Sequence, residues 1–287
     1  KCRGPRVVAG GVAADTVAAT SPRRPVRIVR PCAPGGSADG SRRAIAARLS
    51  AALGQSFVVD NHGGGQSIIV SEIVVKAAPD GYTLLLMPGA LVLSPYLVQN
   101  VPFRPIGDFT PISMLVNQPY VFVSNPKQPF ATFQEMIAYA KANPGKLSIG
   151  TTDALGILAV ETLNSMARID LTQVNYKGAG PIATDVVGNH IQLGITAPPG
   201  FMPFYKDRKV NVLAVTGPDR LRAMPDAPTV AEATGDTSYN IQTWFAIVGP
   251  ANLPRAIVDR LQRELAKIIA DPEMRDTLIR LGMNPAP

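Results

Sequence analysis

The sequence predicts an α/β fold in which strands and helices alternate and the strands form a mostly parallel sheet covered on both faces. Three observations carry this. Short β-rich runs recur along the chain: Val26-Arg27-Ile28-Val29-Arg30, Phe57-Val58-Val59-Asp60 and Tyr82-Thr83-Leu84-Leu85-Leu86-Met87. Each ends in a loop of Gly or Pro, at Pro31 to Asp39, Asn61 to Gly65 and Pro88-Gly89. Between them lie segments whose apolar residues fall at helical spacing.

The first unit shows the logic most clearly. Val26–Arg30 alternates β-branched and charged residues, as a strand with one buried face does. The loop Pro31-Cys32-Ala33-Pro34-Gly35-Gly36-Ser37-Ala38-Asp39 then opens a helix carrying Ile45, Leu49 and Ala52, which stops at Gly54. A glycine loop leading into a helix N-terminus leaves backbone N–H groups that suit an anion. Ser37 or Asp39 is placed to cap that helix; a plain βα connection that binds nothing is the alternative. The second strand, Phe57–Asp60, leads through Asn61-His62-Gly63-Gly64-Gly65 to a helix expected over Ser67–Ala78. Pro79-Asp80-Gly81 turns the chain into the buried strand Tyr82–Met87.

The middle of the chain repeats the pattern. Tyr120–Val123 reads as a strand, and Thr132 caps a helix through Phe133, Met136, Ile137 and Ala140 that ends at Asn143-Pro144-Gly145. Leu147–Ile149 is a strand ending at Gly150-Thr151-Thr152-Asp153, followed by a helix through Leu158, Leu163 and Met166. Val174-Asn175-Tyr176 ends another strand, and Lys177-Gly178-Ala179-Gly180-Pro181 opens a helix at Ile182. Strands follow at Ile191–Ile195, Val210–Val215 and Gln242–Val248. A helix from near Pro254 places Ile257, Leu261, Leu265 and Ile268 on one stripe; Asp271-Pro272 starts the last helix and Gly282 stops it. In sheets of this kind ligands sit at the carboxyl ends of the strands, where the glycine loops fall.

Composition narrows the function classes. Hydrophobic residues make up 46% of the 287 and charged residues 17%, enough for a packed core. The net charge of +7 is concentrated at the start: ten Lys and Arg fall within residues 1–48, against Asp15 and Asp39. No aromatic residues interleave with them, so nucleic acid is not an expected partner; a basic face near the first loop helps attract anions. Cys2 and Cys32 make neither a disulfide framework nor a metal-ligand spacing, and no cofactor or metal is expected. Residues 1–23 read as an export-signal remnant or a disordered tail, and no apolar run is long enough for a membrane span. His62 and His190 are the only histidines. There is no nucleophile elbow, zinc-protease motif or P-loop, and Gly178 to Ala183 matches a dinucleotide fingerprint only superficially because of Pro181. A hydrolase pairing Ser37 with His62, oriented by Asp39 or Asp60, is the enzyme alternative.

Several stretches, in order, resemble the Bug family of substrate-binding proteins that serve tripartite tricarboxylate transporters. They are Arg24-Pro25-Val26-Arg27-Ile28-Val29 with Pro31 to Asp39, Lys76-Ala77-Ala78-Pro79-Asp80-Gly81-Tyr82-Thr83-Leu84, Asp108-Phe109-Thr110-Pro111-Ile112, Asn143-Pro144-Gly145-Lys146-Leu147, Tyr176-Lys177-Gly178, Leu213-Ala214-Val215-Thr216 and Pro225 to Ala233. The resemblance implies a type II-like periplasmic-binding-protein fold: two α/β domains joined by two crossing strands, with a ligand cleft between them. Mapped here, domain 1 spans 24–120 plus 221–287 and domain 2 spans 121–220. It implies a monomeric, non-enzymatic periplasmic receptor for a small carboxylate, whose partners are the membrane components of a transporter; a ligand sensor for a signalling partner is a further alternative. The binding residues it implies are Ala33, Gly35, Gly36, Ser37, Asp39 and Met87 in domain 1. In domain 2 they are Gly150, Thr151, Thr152, Tyr176, Lys177, Gly178, Thr196 and Ala197. The chain departs from the family pattern at Cys32, at His62-Gly63, at Met87-Pro88-Gly89, at Asp153 and at Thr196-Ala197. These departures point to a ligand less polar than citrate, or aromatic, or to an impaired site.

Overall fold

The computed structural model describes residues 22–30, 37–62 and 68–286. The expectations for residues 1–21 and for Cys32, Ala33, Gly35 and Gly36 lie outside these. The chain begins with β1 (Val26–Arg30), α1 (Ser37–Leu53), β2 (Phe57–Asn61), α2 (Ile68–Val75) and β3 (Thr83–Pro88), then a short 3-10 turn, Gly89–Leu93, and α3 (Ser94–Leu97). It continues through β4 (Phe109–Pro119), β5 (Val121–Ser124), α4 (Phe133–Ala142), β6 (Leu147–Thr151), α5 (Ala154–Ala167), β7 (Leu171–Asn175), α6 (Ala179–Val187) and β8 (Leu193–Thr196). A second 3-10 turn, Pro198–Gly200, precedes α7 (Met202–Lys206), β9 (Asn211–Val215), α8 (Val230–Thr234), β10 (Gln242–Pro250), α9 (Arg255–Ala270), α10 (Pro272–Arg280) and β11 (Asn284–Pro285).

Local chemistry explains the helix ends. Thr132 with Glu135, and Thr229 with Glu232, form reciprocal capping boxes at α4 and α8. Asp271 caps α10, with Pro272 at its first position. The stripe of α9 is buried at Ile257, Val258, Leu261, Leu265, Ile268 and Ile269.

The strands make two sheets, ordered β11-β4-β10-β3-β1-β2 and β7-β6-β8-β5-β9. Neither is mostly parallel, contrary to the sequence expectation. In each, three strands are parallel (β2, β1, β3 and β7, β6, β8) and the others add antiparallel. Of the antiparallel members, β4, β5 and β10 adjoin the points where the chain passes between the sheets. β4, 11 residues long, went unassigned in the sequence because its burial has no clean period of two. Two register shifts against β10 disturb the alternation, and Pro111 and Pro119 mask the strand signal.

The expected domain boundary at Leu221 also differs from the packing. Leu221, Met224 and Ala227 pack with Val121, Val123 and Val215, while Val230 and Tyr239 join the core around Phe122, Phe133 and Leu163. Residues 221–239 therefore pack on the second sheet, because Thr229 bridges to β9 at Val215 before the chain leaves.

The two crossings, Pro119-Tyr120 and Ile241-Gln242, meet at Thr216. Its hydroxyl donates to the Ile241 carbonyl at 2.5 Å and accepts from the Tyr120 N–H at 2.8 Å. Its backbone N–H donates to Tyr120 O, and its carbonyl accepts from Ile241 N, both at 3.0 Å. Thr216 is fully buried. The next residue must be small, since a Cβ on Gly217 would lie 3.1 Å from Pro119 Cβ.

The arginines of the first unit are engaged with acids: Arg24 with Asp80, Arg27 with Asp60, and Arg48 with Asp271 and Glu273. The Arg48 pair ties α1 to the start of α10. Among the described residues no helix is long and apolar enough to cross a membrane.

Two outcomes follow for stability. Thr216→Val removes the acceptor of the buried Tyr120 N–H and is expected to cost about 1–3 kcal/mol in urea unfolding, with Thr216→Ser closer to wild type. Backbone hydrogen bonds from Met274 and then the Arg48 guanidinium hold Asp271 below the usual carboxylate range. Its contribution is therefore complete above the ordinary carboxylate pKa and is lost as pH falls through the lower folded value. Asp271→Asn is expected to lower Tm at neutral pH, with the gap to wild type closing at strongly acidic pH.

Candidate functional site

Turns and helices that follow β1, β3, β6 and β8 meet along a seam between the two sheets. The turn Pro198–Gly200 lies against α1, and a Cβ on Gly282, beyond α10, would fall 2.5 Å from Pro198 Cβ. Elsewhere along the seam the turn Gly89–Leu93 lies against α5. Three segments of the first lobe (α1, the α10 terminus and the turn after β3) thus reach the loops of the second.

On the first lobe, Ser37 and Asp39 stand in the first turn of α1. Met87 does not reach the seam. It is 4% exposed and packs with Val29, Val70, Leu91 and Val248, because the penultimate position of β3 falls on the face covered by α2. His62 also turns away: its Nε2 lies 3.0 Å from Asp60 Oδ2 and 3.2 Å from Arg27 Nη2. Burial works against it, yet hydrogen bonds from His62 and Arg27 hold Asp60 below the usual carboxylate range.

On the second lobe, many polar groups named from the sequence hold the loops themselves. Gly150 serves packing: a Cβ there would sit 2.9 Å from Ile191 Cδ1 and 3.1 Å from both Ile182 Cγ2 and the Tyr176 ring. Thr151 is fully buried and its hydroxyl donates to Asn175 Oδ1 at 2.8 Å. Tyr176 uses its N–H on Thr151 O at 2.8 Å and its hydroxyl on Asp185 Oδ2 at 2.6 Å. Burial and then the Asp185 carboxylate push the Tyr176 phenol up to about 12, so it stays a donor throughout the neutral range.

Of the named set, Thr152, Lys177, Gly178 and Ala197 remain at least partly exposed, while Thr196 is as buried as Met87. Lys177 is exposed and Gly178 precedes α6, whose N-terminus no side chain caps. Its first N–H groups keep the partial positive charge of a helix start. Gly200 has no room for a side chain because Ala179 packs on it, so the loops after β7 and β8 form one surface. The Thr152 and Thr196 hydroxyls lie 3.5 Å apart.

The sequence reading missed one participant in this cluster. Asp153 caps α5, its Oδ1 accepting from Leu155 N and Gly156 N, both at 3.0 Å, and from the Tyr120 hydroxyl at 2.8 Å. Its other oxygen accepts from the Thr152 hydroxyl at 3.2 Å. Tyr120 belongs to the crossing segment, and burial, followed by the Asp153 charge, raises its phenol well above the ordinary value. The signal was legible as an Asp directly before a helical run.

The family model for the tripartite tricarboxylate transporter family receptor matches residues 42–287. The chain belongs to this receptor family. Protein BugT of Bordetella pertussis is 30% identical over 284 residues, 97% of this chain and 86% of that protein. A Rhodopseudomonas palustris protein solved with adipate superposes with a TM-score of 0.85 at 30% identity, covering 92% of this chain and 89% of its own. MatC from the same organism, solved with bound malate, gives 0.79 at 26% identity, covering 92% and 90%. Family and neighbours share the two-lobed periplasmic-binding-protein fold, and the chain is a solute receptor of that kind.

Gly150→Ala is expected to lower stability by about 1–3 kcal/mol through overpacking against Ile182 and Ile191. An unchanged urea midpoint with weakened ligand binding would instead put Gly150 at the ligand.

Proposed function

We propose that this chain is a periplasmic receptor that holds a small organic acid between its lobes, delivers it to the membrane components of a tripartite transporter, and carries out no turnover. The supporting observation is the meeting of strand-end loops from both sheets along one seam beside a hinge. A ligand held by donors of both lobes stabilises the closed arrangement over the open one by its differential affinity. The solved neighbours with adipate and malate support a carboxylate as the ligand class.

In this reading the ligand carboxylate lies between two helix starts. One is α1, with Ser37 and Asp39 in its first turn and Ala33, Gly35 and Gly36 before it in the sequence; the other is α6, with Lys177 and Gly178. Backbone N–H groups and Lys177 supply charge-assisted hydrogen bonds of about 1.5–3 kcal/mol each. Thr152 and Ala197 contact the rest of the ligand, with Thr196 behind Thr152. Met87, Thr151 and Tyr176 support the site from behind rather than touching its occupant.

Mass spectrometry of small molecules released from the purified protein identifies the ligand. A thermal-shift panel of mono- and dicarboxylates is expected to show stabilisation of about 2.7 kcal/mol at a hundredfold excess over Kd. Lys177→Ala is expected to weaken binding and leave the ligand-free Tm unchanged. Absence of any shift, together with hydrolysis of an ester panel, would favour an enzyme using Ser37 and His62.

A further inference from the structure

We propose that Asp153 fixes the polarity of the cleft around Thr152, apart from the carboxylate position at Lys177 and Gly178, so that this part takes a hydrogen-bond donor of the ligand, a hydroxyl or an ammonium, and disfavours a second carboxylate. This deepens the receptor reading above and rests on it. The argument begins at α5. A helix start in an anion receptor offers free N–H groups, but here the protein's own carboxylate has taken them: Asp153 Oδ1 accepts from Leu155 N and Gly156 N. A ligand carboxylate cannot use the same donors.

The second step concerns proton direction. A threonine hydroxyl carries one proton and two lone pairs. The Thr152 proton goes to Asp153 Oδ2, 3.2 Å away. The 3.5 Å contact between Thr152 and Thr196 is then a hydrogen bond only if Thr196 donates. The Thr152 proton therefore runs toward Asp153, and the lone pairs of its oxygen are what is left for a ligand. A hydroxyl that composition alone would assign as a donor to a carboxylate becomes an acceptor.

The third step is charge. Among the described residues Asp153 has no cationic partner: its hydrogen bonds come from two amides, the Tyr120 phenol and Thr152. Asp153 and Thr152 are both partly exposed. A second ligand carboxylate brought to Thr152 would meet lone pairs and a carboxylate with no cationic partner, whereas an alcohol or ammonium group meets acceptors.

The test is calorimetric titration of the full chain at neutral pH with ligands matched in length. The six-carbon set is adipate, hexanoate, ω-hydroxyhexanoate and ω-aminohexanoate; the four-carbon set is succinate, butyrate, γ-hydroxybutyrate and γ-aminobutyrate. The hydroxy acid or the amino acid of one set is expected to bind at least about tenfold tighter than its dicarboxylate, and the difference between those two arms names the donor. Asp153→Asn keeps a capping oxygen and removes the charge; it is expected to bring the ratio to unity or reverse it. Thr152→Val leaves the cap bonds to α5 in place and is expected to erase the donor preference by a different route. A wild-type preference for the dicarboxylate, or a donor preference that survives both substitutions, overturns the proposal while leaving the carboxylate receptor standing. Failure of every compound in both sets to bind overturns the receptor reading and this inference with it.

Discussion

The structure turns on the buried hydrogen bonds of Thr216. Where two segments leave one sheet for another, their backbones pass a point at which no ladder supplies partners. Tyr120 and Ile241 are at that point, and Thr216 serves both with its N–H, carbonyl and hydroxyl. A buried N–H or carbonyl without a partner is costly, so the crossing is held by satisfied polar groups rather than by a greasy contact. Gly217 then lets the two backbones approach. Two well-packed lobes thus share short connections, with cores that are separate clusters around Leu84 and Leu261 on one side and Phe122 and Phe133 on the other.

The same frugality with polar groups runs through the strand-end loops. Thr151, Tyr176 and Asp153 point hydroxyls and a carboxylate at neighbouring atoms of β7, α6 and α5. Ordering a loop costs conformational entropy, and internal hydrogen bonds offset that cost before any guest arrives. Recognition then falls to backbone amides and the few groups left over, and a loop held this way presents them at fixed positions. Asp153 joins the two systems, because the Tyr120 hydroxyl that it accepts comes from the crossing segment.

Much of this was legible in the sequence. β1, β2 and β3 were visible from their apolar runs, α9 from its stripe, and α10 from Asp271-Pro272 at one end and Gly282 at the other. These are local signals that tertiary packing did not override. β4 was missed because bulges against β10 broke its alternation, and a bulge depends on the partner strand. The allegiance of Leu221 to Tyr239 was missed for a related reason: it is set by which sheet those side chains reach. The site was legible only as a set of loops. Residue type placed Thr151, Thr152 and Tyr176 near strand ends, but the direction of each hydroxyl depends on acceptors twenty residues away or one residue along, such as Asn175 and Asp153. Met87 misled because β3 is buried on both faces, where alternation gives no clue to which side chain turns outward.

The chain enters and leaves the second sheet once. That unit is therefore an unbroken stretch between Tyr120 and Ile241, set as an insert within the first. The first sheet cannot be finished until β10 and β11 exist, and α1 lacks its Arg48 tether until Asp271 has been made. During synthesis from the N-terminus, the inserted half is the earlier to possess all its strands. The first half waits for β10 and Asp271 to emerge, with the edge of β3 open until then and exposed to pairing with another chain.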